Sequence, residues 1–205
     1  NALTQSEVYA QDQLFATLDP TTRKVFLDEG THAVMTDTVG FINKLPHNLI
    51  EAFKATLEES ATSDILLHVI DLSNPQMEKQ IEVVDNLIQE FGWDNKPLIH
   101  VFNKTDVAPI QNRFRVKQSP RVMVSAETGE GLEDLKNLML ETLNKLTVSV
   151  EFFFPLEKKH LIYELQRDAT SLYKEESKVG YICKAHMIPG LVNKWQDYLV
   201  KNQGK

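Results

Sequence analysis

Asn103-Lys104-Thr105-Asp106 sets an amide, a cation and a carboxylate side by side just after an apolar run, Leu98 to Phe102. An ionised carboxylate accepts two parallel hydrogen bonds, and guanine presents two adjacent donors, N1–H and the 2-amino group. Adenine cannot match that acceptor pair. In this reading Asp106 takes the base, Asn103 braces neighbouring loops, and the aliphatic stem of Lys104 lies along the base plane. Taken alone, the stretch is equally an ordinary polar turn closing a strand, because Asn and Asp favour turns.

Two further segments follow the same plan. Ser125-Ala126-Glu127-Thr128-Gly129 follows the strand-like Arg121 to Val124, and the Ala126 N–H is placed to reach guanine O6. By itself such a segment more often caps a helix. Asp37-Thr38-Val39-Gly40 closes the run Ala33 to Asp37. There the Asp37 carboxylate would hold a water on Mg²⁺, and the Gly40 N–H would face a γ-phosphate. A single D-x-x-G is ordinarily a strand-ending turn, but three such segments in this order, each ending a suitable strand, are far more specific. The phosphate-binding loop G-x-x-x-x-G-K-[ST] occurs nowhere in the sequence, whose only Gly-Lys pair is Gly204-Lys205.

The elements that must position these residues alternate. The spacing predicts a β-hairpin from Arg23–Leu27 and Ala33–Asp37, then a helix starting at Pro46 with Leu49, Ile50, Phe53 and Leu57 on one face. A continuous apolar strand, Ile65 to Ile70, ends at Asp71, and Ile81, Val84, Ile88 and Phe91 form a helical stripe. Strands at Leu98–Phe102 and Arg121–Val124 follow, then a helix through Leu132, Leu135, Met139 and Leu146. Apolar strands alternating with amphipathic helices imply an α/β fold, a mostly parallel sheet with helices on both faces. Ligands bind such sheets beyond the carboxyl ends of the strands, where all three motifs fall. Asn1 to about Tyr9 reads as the end of a helix and Gln11 to Thr22 as an irregular loop.

After Leu146 the pattern changes. A strand from Val148 to Phe154 stops at Pro155, a helix covers Leu156 to Arg167, strands lie around Ser171–Tyr173 and Tyr181–Cys183, and a closing helix runs through Trp195 and Leu199. This divides the chain into residues 1–147 and a small α+β domain, 148–205.

Composition narrows the classes. With 205 residues, 42% of them hydrophobic, the chain can bury a core. A net charge of −7 argues against a broad nucleic-acid-binding surface. Cys183 is the only cysteine, which rules out an intrachain disulfide and suits a reducing compartment. The sequence shows no signal pattern and no apolar run near the ~20 residues of a membrane span, so the expected location is the cytoplasm. No two of the six histidines stand at metal-ligand spacing with carboxylate support, and His68 and His100 read as core or strand-end residues. Phe152-Phe153-Phe154 reads as a buried strand rather than an exposed docking strip, and Lys158-Lys159 and Arg23-Lys24 as solvated basic spots.

On these residues the chain resembles the HflX family of ribosome-associated GTPases. The match rests on Asp12 to Thr21 (DQLFATLDPT), Asp37 to Ile42 (DTVGFI), Leu45-Pro46-His47, Ala52 to Glu59 (AFKATLEE) and Leu67 to Asp71, and it continues into the base-recognition motifs and the small C-terminal domain. The resemblance implies a P-loop-GTPase-like fold whose phosphate loop and first strand are missing here, the strand belonging between Ala33–Asp37 and Ile65–Ile70. It implies a nucleotide site of Phe15, Ala16, Thr17, Leu18, Asp19, Asp37, Thr38, Val39, Gly40, Asn103, Lys104, Thr105, Asp106, Ser125, Ala126 and Glu127. Thr17 would ligate Mg²⁺ directly and Asp37 through water, with GTP or GDP as the ligand. Phe41 occupies the place of the water-orienting glutamine of Ras-like enzymes, which implies slow intrinsic hydrolysis and stimulation by a partner, the large ribosomal subunit and its rRNA.

The resulting expectation is a GTPase whose present chain turns over little GTP for want of the phosphate loop. Strand exchange or oligomerisation is expected where the sheet lacks its strand. The alternative is a non-catalytic ribosome- or protein-interaction module with vestigial nucleotide loops.

Overall fold

The structure is a computed structural model that describes residues 2–4, 21–28, 31–38 and 60–200. The helix expected from Pro46 lies outside them, as does most of the Asn1–Tyr9 helix and of the loop to Thr22. Among the described residues the chain forms two compact units, one running to Val25 and over Ala33–Met139, the other made of Phe26–His32 and the residues from Leu140 onward.

The first unit is built on a three-stranded sheet of order β3-β4-β5, with β3 at Leu66–Asp71, β4 at Leu98–Asn103 and β5 at Arg121–Met123. Both pairings are parallel, with Leu66 opposite Leu98, Asp71 opposite Asn103 and Phe102 opposite Met123. Parallel neighbours need a crossover of a dozen or more residues. Helix α1, Met77–Glu90, supplies the first, and α2, Ile110–Arg115, lies within the second. Successive strand residues face opposite sides. Ile70 and Phe102 therefore share one face, where they bury with Leu72, Val116 and the α1 residues Met77 and Ile81. The buried Asn112 side chain of α2 donates to Leu72 O at 2.8 Å, fixing the chain just beyond β3. Trp93, after α1, packs on Phe91 with ring centroids 4.9 Å apart. Helix α3, Leu132–Leu146, follows β5 after a short loop.

The hairpin forms as β1, Thr21–Asp28, and β2, Thr31–Asp37. Val25 and Leu27 are buried while Phe26 between them is exposed, the alternation of a half-buried strand. The hydroxyls of Thr22 and Thr36 meet across the pair at 3.1 Å. β1 and β2 make a two-stranded sheet of their own, so among the described residues β2 and β3 do not share a sheet.

The second unit holds an antiparallel sheet of order β6-β8-β7, from Val148–Pro155, Gly180–Met187 and Ser171–Glu176. Phe152 and Phe154 of β6 bury completely with Cys183, Ala185 and Met187 of β8. The triple-Phe segment is thus a core strand, as the alternation requires. Helix α4, His160–Asp168, adds Ile162 and Leu165 to the same core. It is shorter than the predicted helix, because Leu156–Lys158 forms a separate 3₁₀ turn. The closing helix also differs. Only Pro189–Val192, α5, is α-helical, and Asn193–Tyr198 is 3₁₀. A 3₁₀ turn eclipses residues three apart, which brings both Trp195 and Tyr198 onto Phe154, at centroid distances of 6.0 and 4.8 Å. Leu199, predicted helical, instead bridges Phe152, and Val200 N donates to Glu151 O at 2.8 Å. Trp195 is buried, and its Nε1–H donates to Asp168 Oδ2 at 2.9 Å. Among the described residues no helix is long and apolar enough to cross a membrane.

Candidate nucleotide-binding site

Parallel register brings the polar ends of β3 and β4 together, with Asp71 directly opposite Asn103. β5 ends beside them, and the Ser125–Gly129 loop leaves from the same edge. Lys104 takes a left-handed backbone conformation (φ 66°), an uncommon one for a residue with a side chain. It reverses the chain, and the turn is closed by Val107 N and Ala108 N donating to Lys104 O at 3.3 and 3.0 Å.

Two bonds donated by main-chain N–H groups join this turn to the next loop. Ala126 N donates to Asn103 Oδ1 at 3.0 Å, and Thr105 N donates to Val124 O at 3.2 Å. Asn103 therefore braces the neighbouring loop in the way its motif position suggested. Thr105 is buried, donates its hydroxyl to Glu130 Oε2 at 3.2 Å and accepts at its carbonyl from Arg113 Nη2 at 3.2 Å. The variable position of the motif is thus its structural peg.

Asp106 is exposed and makes no side-chain hydrogen bond or ion pair with another described residue. A solvated carboxylate held on a braced turn keeps both oxygens open to a ligand. Ser125 is fully buried. Its N–H donates to Glu130 O at 2.9 Å, and its hydroxyl oxygen accepts from Thr128 N at 3.1 Å. That turn leaves Ala126 and Glu127 exposed at its tip. Gly131 then enters α3 with φ 73°, and a Cβ there would stand 2.1 Å from Met123 O.

Sequence reasoning missed Asp71 as a partner of this site. Its Oδ2 lies 3.0 Å from Lys104 Nζ, and its Oδ1 accepts from Ser73 N at 2.9 Å and Ser73 Oγ at 2.6 Å. The available signal was the carboxylate ending an apolar strand, but only the register shows that it meets Lys104. Partial burial would raise the Asp71 pKa, yet the Ser73 hydroxyl and the Lys104 ammonium outweigh that, and it falls below the ordinary carboxylate value. A depressed carboxylate pKa gives stability that is present above the unfolded value and lost as pH falls through the folded one. Asp71→Asn should therefore flatten the acid limb of the melting temperature against pH and leave neutral-pH secondary structure intact by circular dichroism.

Of the remaining candidates, Asp37 ends β2 with an exposed side chain and Thr38 follows it half-buried. Phe15, Ala16, Thr17, Leu18, Asp19, Val39, Gly40 and Phe41 lie outside the described residues. Asp37 presents a hard oxygen donor of the kind Mg²⁺ takes through a bound water, so the one described member of the expected Mg²⁺ set fits that ion.

A parallel sheet with braced polar loops at its carboxyl ends is an α/β fold of the kind that takes ligands at that edge, and the comparisons with known proteins specify its family. Residues 1–104 match the family described as 50S ribosome-binding GTPase, so the chain belongs to that family. Its relatives are HflX GTPases. The protein named GTPase HflX of Lacrimispora saccharolytica is 45% identical over 188 residues, covering 91% of this chain and 44% of its own length. That of Caldanaerobacter subterraneus is 38% identical over 200 residues, with 98% and 46% covered. That of Escherichia coli is 37% identical over 187 residues, with 88% and 44% covered. The chain therefore spans less than half the length of these relatives. Among solved structures, a glycine-to-serine variant of SsGBP shares the fold, with a TM-score of 0.54 at 23% identity over 69% of this chain and 48% of that one.

Proposed function

We propose that this chain is the guanine-recognising portion of a GTPase that works on the large ribosomal subunit. Residues 1–147 would form the nucleotide-binding domain and 148–205 the small α+β domain. The observation that carries the reading is the brace between the two base loops, Ala126 N to Asn103 Oδ1, which holds them together beside an uncommitted Asp106. Asp106 would accept from N1–H and the 2-amino group of guanine, and Lys104, steadied by Asp71, would lie along the base. Guanine O6 would share the Ala126 N–H that Asn103 now accepts, a bifurcated arrangement that needs no rebuilding of the loop.

At the other end of the nucleotide, Thr17, Asp37 and Gly40 would respond to the γ-phosphate. Mg²⁺, when bound, would neutralise phosphate charge, with Thr17 a direct ligand and Asp37 holding one of its waters. Phe41 offers no hydrogen bond to an attacking water, so the reaction, GTP to GDP and phosphate, would be slow until the ribosome supplies the missing stabilisation. The 205 residues contain no phosphate loop, so this chain alone should recognise the base and turn over little GTP.

Calorimetric titration with GDP, GTP and ATP, with and without Mg²⁺, tests this. The expected result is weak, base-dependent binding of guanine nucleotides only, without phosphate release. Tight GTP binding with turnover would overturn the incompetence of the chain. Preference for ATP, or no discrimination between bases, would overturn the guanine reading and favour a non-catalytic interaction module.

A further inference from the structure

The apolar layer between sheet and helix α1 is interrupted at one place by three residues of metal-ligand type. On the face that buries Ile70 and Phe102, the positions two residues earlier are His68 on β3 and His100 on β4, paired directly in register. On α1, the stripe Met77 and Ile81 that covers Ile70 and Phe102 continues, four residues on, with Asp85. Where alternation and helical period call for apolar side chains, the sequence places two imidazoles and a carboxylate instead. Their ligand atoms all lie within 4.8 Å of one another, the one such group of three among the described residues.

Two further observations favour a ligand over a packed core. His68 Nδ1 is buried with no hydrogen-bond partner among the described residues, an arrangement that ordinarily costs stability. His100 Nδ1 lies 3.4 Å from Pro120 O. A hydrogen bond donated there leaves Nε2 with its lone pair, the outer-shell contact that orients metal-bound histidines. Arg121, the β5 residue opposite His100, has its guanidinium engaged with Gln118 O at 2.8 Å.

We infer that His68, Asp85 and His100 form a binding site for a divalent transition-metal ion of the Zn²⁺ type, which fastens β3 and β4 to α1. Two nitrogens and one carboxylate oxygen suit Zn²⁺, Co²⁺ or Ni²⁺ and discriminate against Mg²⁺ and Ca²⁺, which take oxygen. With metal–ligand bonds of about 2.0–2.2 Å, tetrahedral ligands stand about 3.4 Å apart. The longest separation therefore closes by at most about 1.4 Å on binding. The site is separate from any ion held with the nucleotide. It lies three residues back from Asp71 and Asn103, about 10 Å along the strands, and on the opposite face of the sheet. It stands whether or not the guanine reading holds.

Co²⁺ titration of the chain, followed by visible absorption and Zn²⁺ competition, is the test. A single saturating equivalent with tetrahedral-type bands, displaced by Zn²⁺ and accompanied by a higher melting temperature, is expected. Asp85→Asn and His68→Gln should each weaken binding at least about tenfold, the loss that even an outer-shell change produces. His160→Gln, an exposed histidine in the second unit, should not. Asp85 is half-buried on a helix, so Asp85→Asn decides the matter if His68→Gln does not fold. Absence of a saturable signal from folded chain, or equal affinity in Asp85→Asn, overturns the site.

Discussion

Asp106→Asn is expected to abolish guanine preference and transfer it to xanthine. The carboxylate presents two acceptors to two donors, and each hydrogen bond to a charged group contributes about 1.5–3 kcal/mol. Asn keeps an acceptor for N1–H and loses the one for the 2-amino group, a loss of about 1.5–3 kcal/mol, on the order of ten- to a hundredfold in affinity. The amide of Asn turns one acceptor into a donor. That donor faces the guanine 2-amino group unfavourably but matches the carbonyl that xanthine carries at the same position. Because Asp106 is exposed and bonded to no other described side chain, the substitution should leave thermal stability within about 0.5 kcal/mol of the parent. Ligand-observed NMR with guanosine and xanthosine, alongside a melting curve, reads both effects. Undiminished guanine preference in the folded variant would remove Asp106 from the site.

Gly131→Ala is the second large effect, and it acts through the backbone. Gly131 has φ 73°, and an added Cβ would lie 2.1 Å from Met123 O and 3.2 Å from Met123 C, both main-chain atoms of β5. The left-handed conformation alone costs about 1–2 kcal/mol for a residue with a Cβ, and forcing atoms into an occupied space adds about 1–3 kcal/mol. A total of about 2–5 kcal/mol in urea unfolding is expected. The Ser125–Glu127 loop, whose Ser125 N–H rests on Glu130 O, should shift with it. Gly129 supplies the control. It has φ 84° but nothing within 4 Å of an added Cβ, so Gly129→Ala should cost only the conformational part. Equal losses at the two glycines would mean that the contact with β5 is relieved cheaply.

The parts of the molecule legible in the sequence are those encoded by continuous local pattern. The runs at Leu66–Asp71 and Leu98–Asn103 announce parallel strands because both their faces are mostly apolar, and the stripe through Ile81 and Val84 announces α1. Helix α2 carries no such pattern. Its Ile110 and Phe114 are exposed and the residue it buries is Asn112, so no apolar period marks it. The closing segment reads as one helix because 3.6- and 3.0-residue periods differ little over six residues. The polar pairings were hidden for another reason. Lys104 meets Asp71, and His68 meets His100, only through strand register, which a single sequence does not display. The base-recognition motif could be read because its chemistry is compressed into four consecutive residues.

The burial of Trp195 against Phe154, with its indole N–H on Asp168, has a spectroscopic consequence. The chain has two tryptophans, and Trp93 sits half-buried beside Phe91 in the other unit. Each unit thus carries one tryptophan, which can be excited apart from the tyrosines. Trp195, shielded from solvent, should emit at the shorter wavelength, and Trp93→Phe or Trp195→Phe would leave a single reporter. Denaturation followed at each emission then shows directly whether the two units melt together or in sequence, and hence whether one unfolding free energy describes this chain at all.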